Sequence, residues 1–222
     1  MTPSPPAARP SLASRRPAAL LAGLVLTVAM LFASPPPAGA LPPGIPDVAT
    51  ARAQLDALAV RAEGSLDGYS RDLFPHWSTA SGTCDTREVV LRRDGTGVTT
   101  DAGCRATSGT WFSPYDGVTE TSATEIDVDH VVPLAEAWRS GAATWTADRR
   151  QAFANSLGTP ELLAVTDDVN QAKGDRDPAT WQPPRAAFRC TYARLWVGAK
   201  HAWQLTLQLA EETALRAMLD TC

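Results

Sequence analysis

The sequence predicts an α+β fold, and three observations carry that expectation. Short runs with strand patterning recur at residues 87–92, 98–100, 111–115, 125–132 and 162–165, each bounded by turn-forming residues. Segments with apolar side chains at helical spacing and polar caps lie among and after those runs. Beyond residue 40 there is no internal repeat and no low-complexity stretch, so the mixture reads as one α+β body.

The first forty residues read as a secretory signal. Arg9, Arg15 and Arg16 precede an uncharged apolar run over residues 18–33, and Pro35-Pro36-Pro37 leads into Ala38-Gly39-Ala40, a small-residue cleavage site. The run falls short of the roughly 18 to 20 residues that span a bilayer. Cleavage near Ala40 and secretion are therefore expected. The remainder divides into a lead-in over 41–83, with one helix and much loop, and a main domain over 84–222. Together they are long enough to bury a real core.

Four cysteines remain in the exported chain: Cys84, Cys104, Cys190 and Cys222. None forms a C-x-x-C pair, which argues against zinc, and an even count in a secreted protein argues for two disulfides. Three pairings are open, of which Cys84–Cys104 with Cys190–Cys222 is the simplest. The chain carries a net charge of −4, and loss of the signal removes three arginines and no carboxylates. That balance disfavours broad electrostatic binding of nucleic acid. Residues 139–203 nevertheless hold nine Lys/Arg against six Asp/Glu, a locally basic stretch.

Taken in order, Asp47 is placed to cap a helix over 48–60, with Leu55 and Leu58 inward. Residues 87–92 read as a strand, with Val89 and Leu91 on one side, and Asp94-Gly95-Thr96-Gly97 as a turn before a strand at 98–100. Residues 111–115 read as an edge strand broken by Pro114. The strand over 125–132 stops at Pro133, and a short helix over 134–140 ends at Gly141. Thr146 caps a helix with Phe153 and Leu157 inward and Gly158 as terminator. Residues 162–165 form a fully apolar strand. Thr166 then caps a helix whose first turn holds Asp167 and Asp168, as the helix dipole favours, and Gly174 closes it. Two last helices carry Tyr192, Leu195, Trp196 and Ala199, then Leu207, Ala210, Ala214, Leu215 and Met218.

The chemistry concentrates in Asp129-His130-Val131-Val132-Pro133 and, forty residues on, Asn170-Gln171-Ala172-Lys173-Gly174-Asp175. Adjacent strand residues point to opposite faces, so Asp129 and His130 can share a site only where the strand ends or twists, as Pro133 favours. A carboxylate and an amide oxygen are hard ligands suited to Mg²⁺. A neutral histidine can deprotonate water near physiological pH. Phosphodiester hydrolysis uses both.

Residues 129–138 (DHVVPLAEAW) and 162–175 (LLAVTDDVNQAKGD) resemble an HNH, or ββα-metal, nuclease. They are similar to exported proteins related to the C-terminal nuclease domain of GmrSD-type restriction endonucleases. The likeness extends over about residues 84–200. It implies a ββα-metal core with added helices, and an endonuclease acting on DNA, or also on RNA. It further implies His130 as general base, Asp129 and Asn170 as ligands of one Mg²⁺ (Mn²⁺ would also suit), and 5′-phosphate products. The family's middle Asn falls where this chain has Glu161, which could orient His130 through its second ring nitrogen. Lys173, Arg176 and Arg87 are candidate phosphate contacts. The rival reading is a non-catalytic exported binding domain that keeps the fold. A serine hydrolase lacks any G-x-S-x-G context.

Overall fold

The computed structural model describes residues 1–5 and 40–222. The expected signal therefore lies almost wholly outside the described residues. Residues 40–222 belong to one compact unit. Among the described residues no helix is long and apolar enough to cross a membrane.

The lead-in begins with α1 (Val48–Ala57), whose cap is the Asp47 carboxylate, accepting the Thr50 N–H at 2.7 Å. Ala51 and Leu55 face inward, four residues apart, against the later helices. A 3-10 turn at Arg71–Leu73 follows, then β1 (Thr79–Ser81) and β2 (Cys84–Asp85), which pair antiparallel.

Residues 87–92 are not a strand but the body of helix α2 (Thr86–Asp94). Asp85 accepts the Glu88 N–H at 2.8 Å, so a helix start stands where an alternating pattern suggested a strand. The buried residues Thr86, Val90, Leu91 and Asp94 follow the helical period. Asp94-Gly95 is then a helix-to-strand junction rather than a hairpin turn. β3 (Gly95–Thr100), β4 (Ala106–Phe112) and β5 (Thr119–Glu120) make an antiparallel sheet with β4 central. Trp111, expected on an edge strand, therefore sits on the middle one. It is buried, and its indole N–H donates to the Leu91 carbonyl at 2.8 Å.

β6 (Ile126–His130) and α3 (Leu134–Arg139) match expectation, joined across Pro133. Helix α4 (Ala147–Ala154) is capped by Thr146 but ends at Asn155, so Leu157 and Gly158 lie beyond it. β7 (Leu162–Thr166) is buried along its whole length and pairs antiparallel with β6 from Ile126↔Thr166 to His130↔Leu162. Helix α5 (Asp167–Lys173) starts directly from β7 and stops at Gly174, whose φ of 57° favours glycine. Thr166 occupies the N-cap, but its hydroxyl donates to Asp116 instead of serving the helix. β6, β7 and α5 thus form a compact ββα unit.

Helices α6 (Arg189–Trp203) and α7 (Leu209–Leu219) close the fold. Tyr192, Leu195, Trp196 and Ala199 are fully buried, as are Leu215 and nearly Met218, whereas Ala210 is exposed. Cys84 bonds Cys104 and Cys190 bonds Cys222, the simplest of the three pairings. The main core joins α1, Phe74, α3, α4, β7, α6 and α7, and a second cluster lies under α2 and β4.

Candidate functional site

The site is built on the ββα unit. A cleft of about 190 Å³ is lined by Asp129, His130 and Asn170, with Tyr69 and Arg71 from the lead-in and Asp175 after α5. A more apolar pocket of about the same volume, lined by Phe112, Phe188 and Leu163, holds none of these groups. β6 ends at His130, so adjacent residues with opposite side-chain directions both reach one cleft.

His130 is almost wholly buried, and its Nε2 lies 2.9 Å from the Ala154 carbonyl oxygen. A carbonyl can only accept, so Nε2 carries the hydrogen and Nδ1 keeps the lone pair. Trp77 stacks on the imidazole, with centroids 5.4 Å apart and planes 22° from parallel, while His76 meets it edge-on at 6.3 Å. Trp77 takes a left-handed backbone, φ 59°, to place its indole there. Burial pulls the His130 pKa down to about 3, against the Ala154 bond, so the free ring is neutral.

Asp129 is held on both oxygens. Oδ1 accepts from the Lys173 ammonium at 2.7 Å, and Oδ2 accepts from the Tyr115 hydroxyl at 2.7 Å. Burial raises its pKa, a tendency that Lys173 and both hydrogen bonds oppose. Tyr115, buried beside that carboxylate, is pushed well above the ordinary phenol value and remains a donor. Asn170 stands on α5 with its amide nitrogen on Asp127 Oδ2 at 2.9 Å. That bond fixes the amide and leaves its oxygen without a protein donor among the described residues.

The other expected site residues fall elsewhere. Glu161 makes no hydrogen bond to the His130 ring. Its backbone carbonyl takes the Val131 N–H at 2.7 Å, its Oε2 takes the Val132 N–H at 3.3 Å, and Oε1 is buried without a partner. It clasps the chain just after the histidine, while Ala154 and Trp77 set the ring itself. Lys173 is fully buried on Asp129 and the His130 carbonyl, where no phosphate reaches it. Arg87 donates to the carbonyls of Ala123 and Ile126 and pairs with Glu88, a structural role. Arg176 turns back to the Ala172 carbonyl, outside the cleft.

The model of the GmrSD restriction endonucleases, C-terminal domain, matches residues 97–218, more than half of the chain. The chain belongs to this family. A relative from Arthroderma benhamiae, described as an uncharacterized secreted protein, is 56% identical over 198 residues, covering 89% of this chain and 97% of its own length. No solved structure matches. Within the GmrSD_C domain lie Asp129, His130, Glu161 and Asn170. Tyr69, Arg71, His76 and Trp77 precede the matched span. In the sequence the lead-in beyond its one helix reads as loop, and none of these four residues has a role assigned. Tyr115, 14 residues before Asp129, lies in the stretch from Trp111 to Gly117 that belongs to the family likeness, but sequence alone assigns it no role.

The donor set suits a hard divalent ion. Asp129 and Asn170 present oxygen atoms to one cleft, and each carboxylate oxygen of Asp129 keeps a second acceptor direction beyond its single hydrogen bond. Among the described residues there is no cluster of three or more His, Cys, Asp or Glu suited to a metal. An ion there would have to draw remaining ligands from water and substrate, as Mg²⁺ commonly does.

Proposed function

We propose that this GmrSD_C protein is a secreted, metal-dependent endonuclease that hydrolyses phosphodiester bonds of DNA. The observation that carries the reading is a neutral, oriented histidine beside a fixed carboxylate and amide in one cleft. Nδ1 of His130 takes the proton of the attacking water, while Ala154 and Trp77 hold the ring. With a pKa of about 3 in the free protein the ring is a weak base. A phosphodiester in the cleft brings negative charge beside it, which raises its proton affinity when it is needed. Asp129 and Asn170 would hold Mg²⁺ or Mn²⁺, which would supply charge stabilisation on the phosphate and the leaving 3′-oxygen. Products would then carry 5′-phosphate. Secretion accords with the signal-like first forty residues and with the secreted relative.

The test is nicking of supercoiled plasmid by the oxidised mature chain, with Mg²⁺, with excess EDTA, and beside His130→Ala. Nicking should require the metal and fall by at least about 100-fold in the variant, the usual loss for a general base. Normal nicking by that variant would remove His130 from the role. A second reading draws on the engagement of both Asp129 oxygens by Lys173 and Tyr115: a folded binding domain without catalysis. A folded wild type that cleaves neither DNA nor RNA with Mg²⁺ or Mn²⁺ would favour it.

A further inference from the structure

The cleft lacks the cations expected of it. Lys173 is sealed against Asp129, Arg87 is committed to carbonyls and Glu88, and Arg176 lies outside. Meanwhile Asp129 and Asp175 line the wall, and Asp127 backs Asn170. These carboxylates repel a phosphodiester unless something offsets them. Arg71 is the cation left in the lining, and among the described residues its guanidinium has no acceptor.

The backbone beneath Arg71 is well fixed. Ser70 caps the 3-10 turn, Phe74 N–H donates to the Arg71 carbonyl at 3.0 Å, and Arg150 Nε donates to the Leu73 carbonyl at 2.9 Å. Phe74 is fully buried against Trp138 and Phe153. Asn155 adds two bonds, donating to the Pro75 carbonyl at 2.7 Å and accepting the Ser78 N–H at 2.8 Å. Arg150 belongs to α4, and Asn155 caps its end, one residue after the carbonyl that holds His130. One helix thus sets both the imidazole and the turn that carries the arginine.

We propose that Arg71 is the phosphate-binding arginine of this cleft, gripping a phosphodiester of the nucleic acid next to His130. The inference rests on the nuclease reading. A guanidinium presents paired N–H donors that match phosphate oxygens, and it stays charged at any working pH. Arg71 precedes residues 97–218, so this contact comes from the lead-in rather than from the matched domain.

The experiment measures binding and cleavage on the same full mature chain. Anisotropy of a short fluorescein-labelled DNA duplex, in EDTA and over a range of NaCl, compares wild type with Arg71→Ala, Arg71→Lys and Arg105→Ala. Arg105 is exposed and does not line the cleft. Arg71→Ala should weaken binding by roughly tenfold at low salt and lower the slope of log K against log salt by about one. Arg71→Lys should restore most of the slope, and Arg105→Ala should match wild type. Plasmid nicking is run in parallel. If wild type nicks and Arg71→Ala keeps wild-type affinity, slope and rate, the assignment of Arg71 falls while the nuclease reading stands. If folded wild type neither binds nor nicks, both fall.

Discussion

His130, Asn170 and Glu161 are each defined by what they are denied or given. Burial denies His130 its proton, and the Asp127 bond leaves Asn170 with only its oxygen to offer. Replacing Asn170 by Ala should therefore cut metal-dependent nicking by at least about tenfold and raise the Mg²⁺ concentration needed, measured by metal titration. An unchanged titration would take Asn170 out of the site. Glu161 is fully buried with one oxygen unpartnered, and burial pushes its pKa well above the ordinary carboxylate value. The folded state then holds a proton that the unfolded chain releases above about pH 4.3. Stability contributed by that proton is complete below this pH and is lost as pH rises toward the folded pKa, by up to about 1.4 kcal/mol per unit. Glu161→Gln keeps the shape and the bond to Val132 but cannot ionise. Its unfolding free energy should equal wild type near pH 4 and exceed it at pH 7. Parallel curves in denaturant titrations would mean that Glu161 is ionised in the fold. Asp129, His130 and Asn170 were legible because their chemistry is written in residue type and spacing. Trp77 was not, and Tyr115 stood in the family likeness without a role, because both act through contacts across 53 and 14 residues that no local pattern encodes.

At the scale of elements, the strands and helices of the ββα unit were legible because Pro133, Gly174 and the apolar run 162–165 punctuate them strongly. Helix α2 was missed because Val89 and Leu91, alternating with Glu88, Val90 and Arg92, suggested a preference for strand. The Asp85 cap and burial of Val90 and Leu91 against Trp111 and β7 outweighed that preference. The α6–α7 pair raises a different point, since its apolar faces enclose a buried charge. Lys200 on α6 pairs with Glu136 of α3 at 2.8 Å and Glu211 of α7 at 2.6 Å, and also donates to Ser140 Oγ and the Thr206 carbonyl. Burial opposes its charge, yet Glu211 and Glu136 outweigh burial and raise its pKa. Three elements are thus registered on one ammonium. Lys200→Met removes it, leaving buried Glu211 without a cation and Glu136 with Arg139 alone, so urea unfolding should report a loss of about 3–5 kcal/mol. Adding Glu136→Gln and Glu211→Gln to that variant should recover part of the loss. A loss below about 1 kcal/mol for Lys200→Met alone would show that the acids shed their charge at little cost.

At the scale of the molecule, the question is whether the lead-in is an appendage or part of the folding unit. The sequence separated 41–83 from the domain because loop composition hides tertiary contacts. Its helix α1 places Ala51 and Leu55 in the main core, and Phe74 joins them there. Arg194 on α6 donates to the Pro46 carbonyl at 2.7 Å, and the Arg61 N–H donates to Leu207 at 2.8 Å. Burial of Leu55 and Phe74 alone contributes on the order of 3–6 kcal/mol, a large share of the 5–15 kcal/mol by which domains are usually stable. Trp77 also covers the imidazole, and Asn155 loses two partners if the lead-in goes. A chain beginning at Cys84 keeps every residue of the matched span, yet it should lose cooperative thermal unfolding or melt far below a chain beginning at Leu41. Calorimetry of the two, with disulfides intact, decides it. Equal melting temperatures would mean that the GmrSD_C domain stands without its lead-in. The wall formed by Tyr69, Arg71 and Trp77 would then be an accessory to the cleft rather than part of its frame.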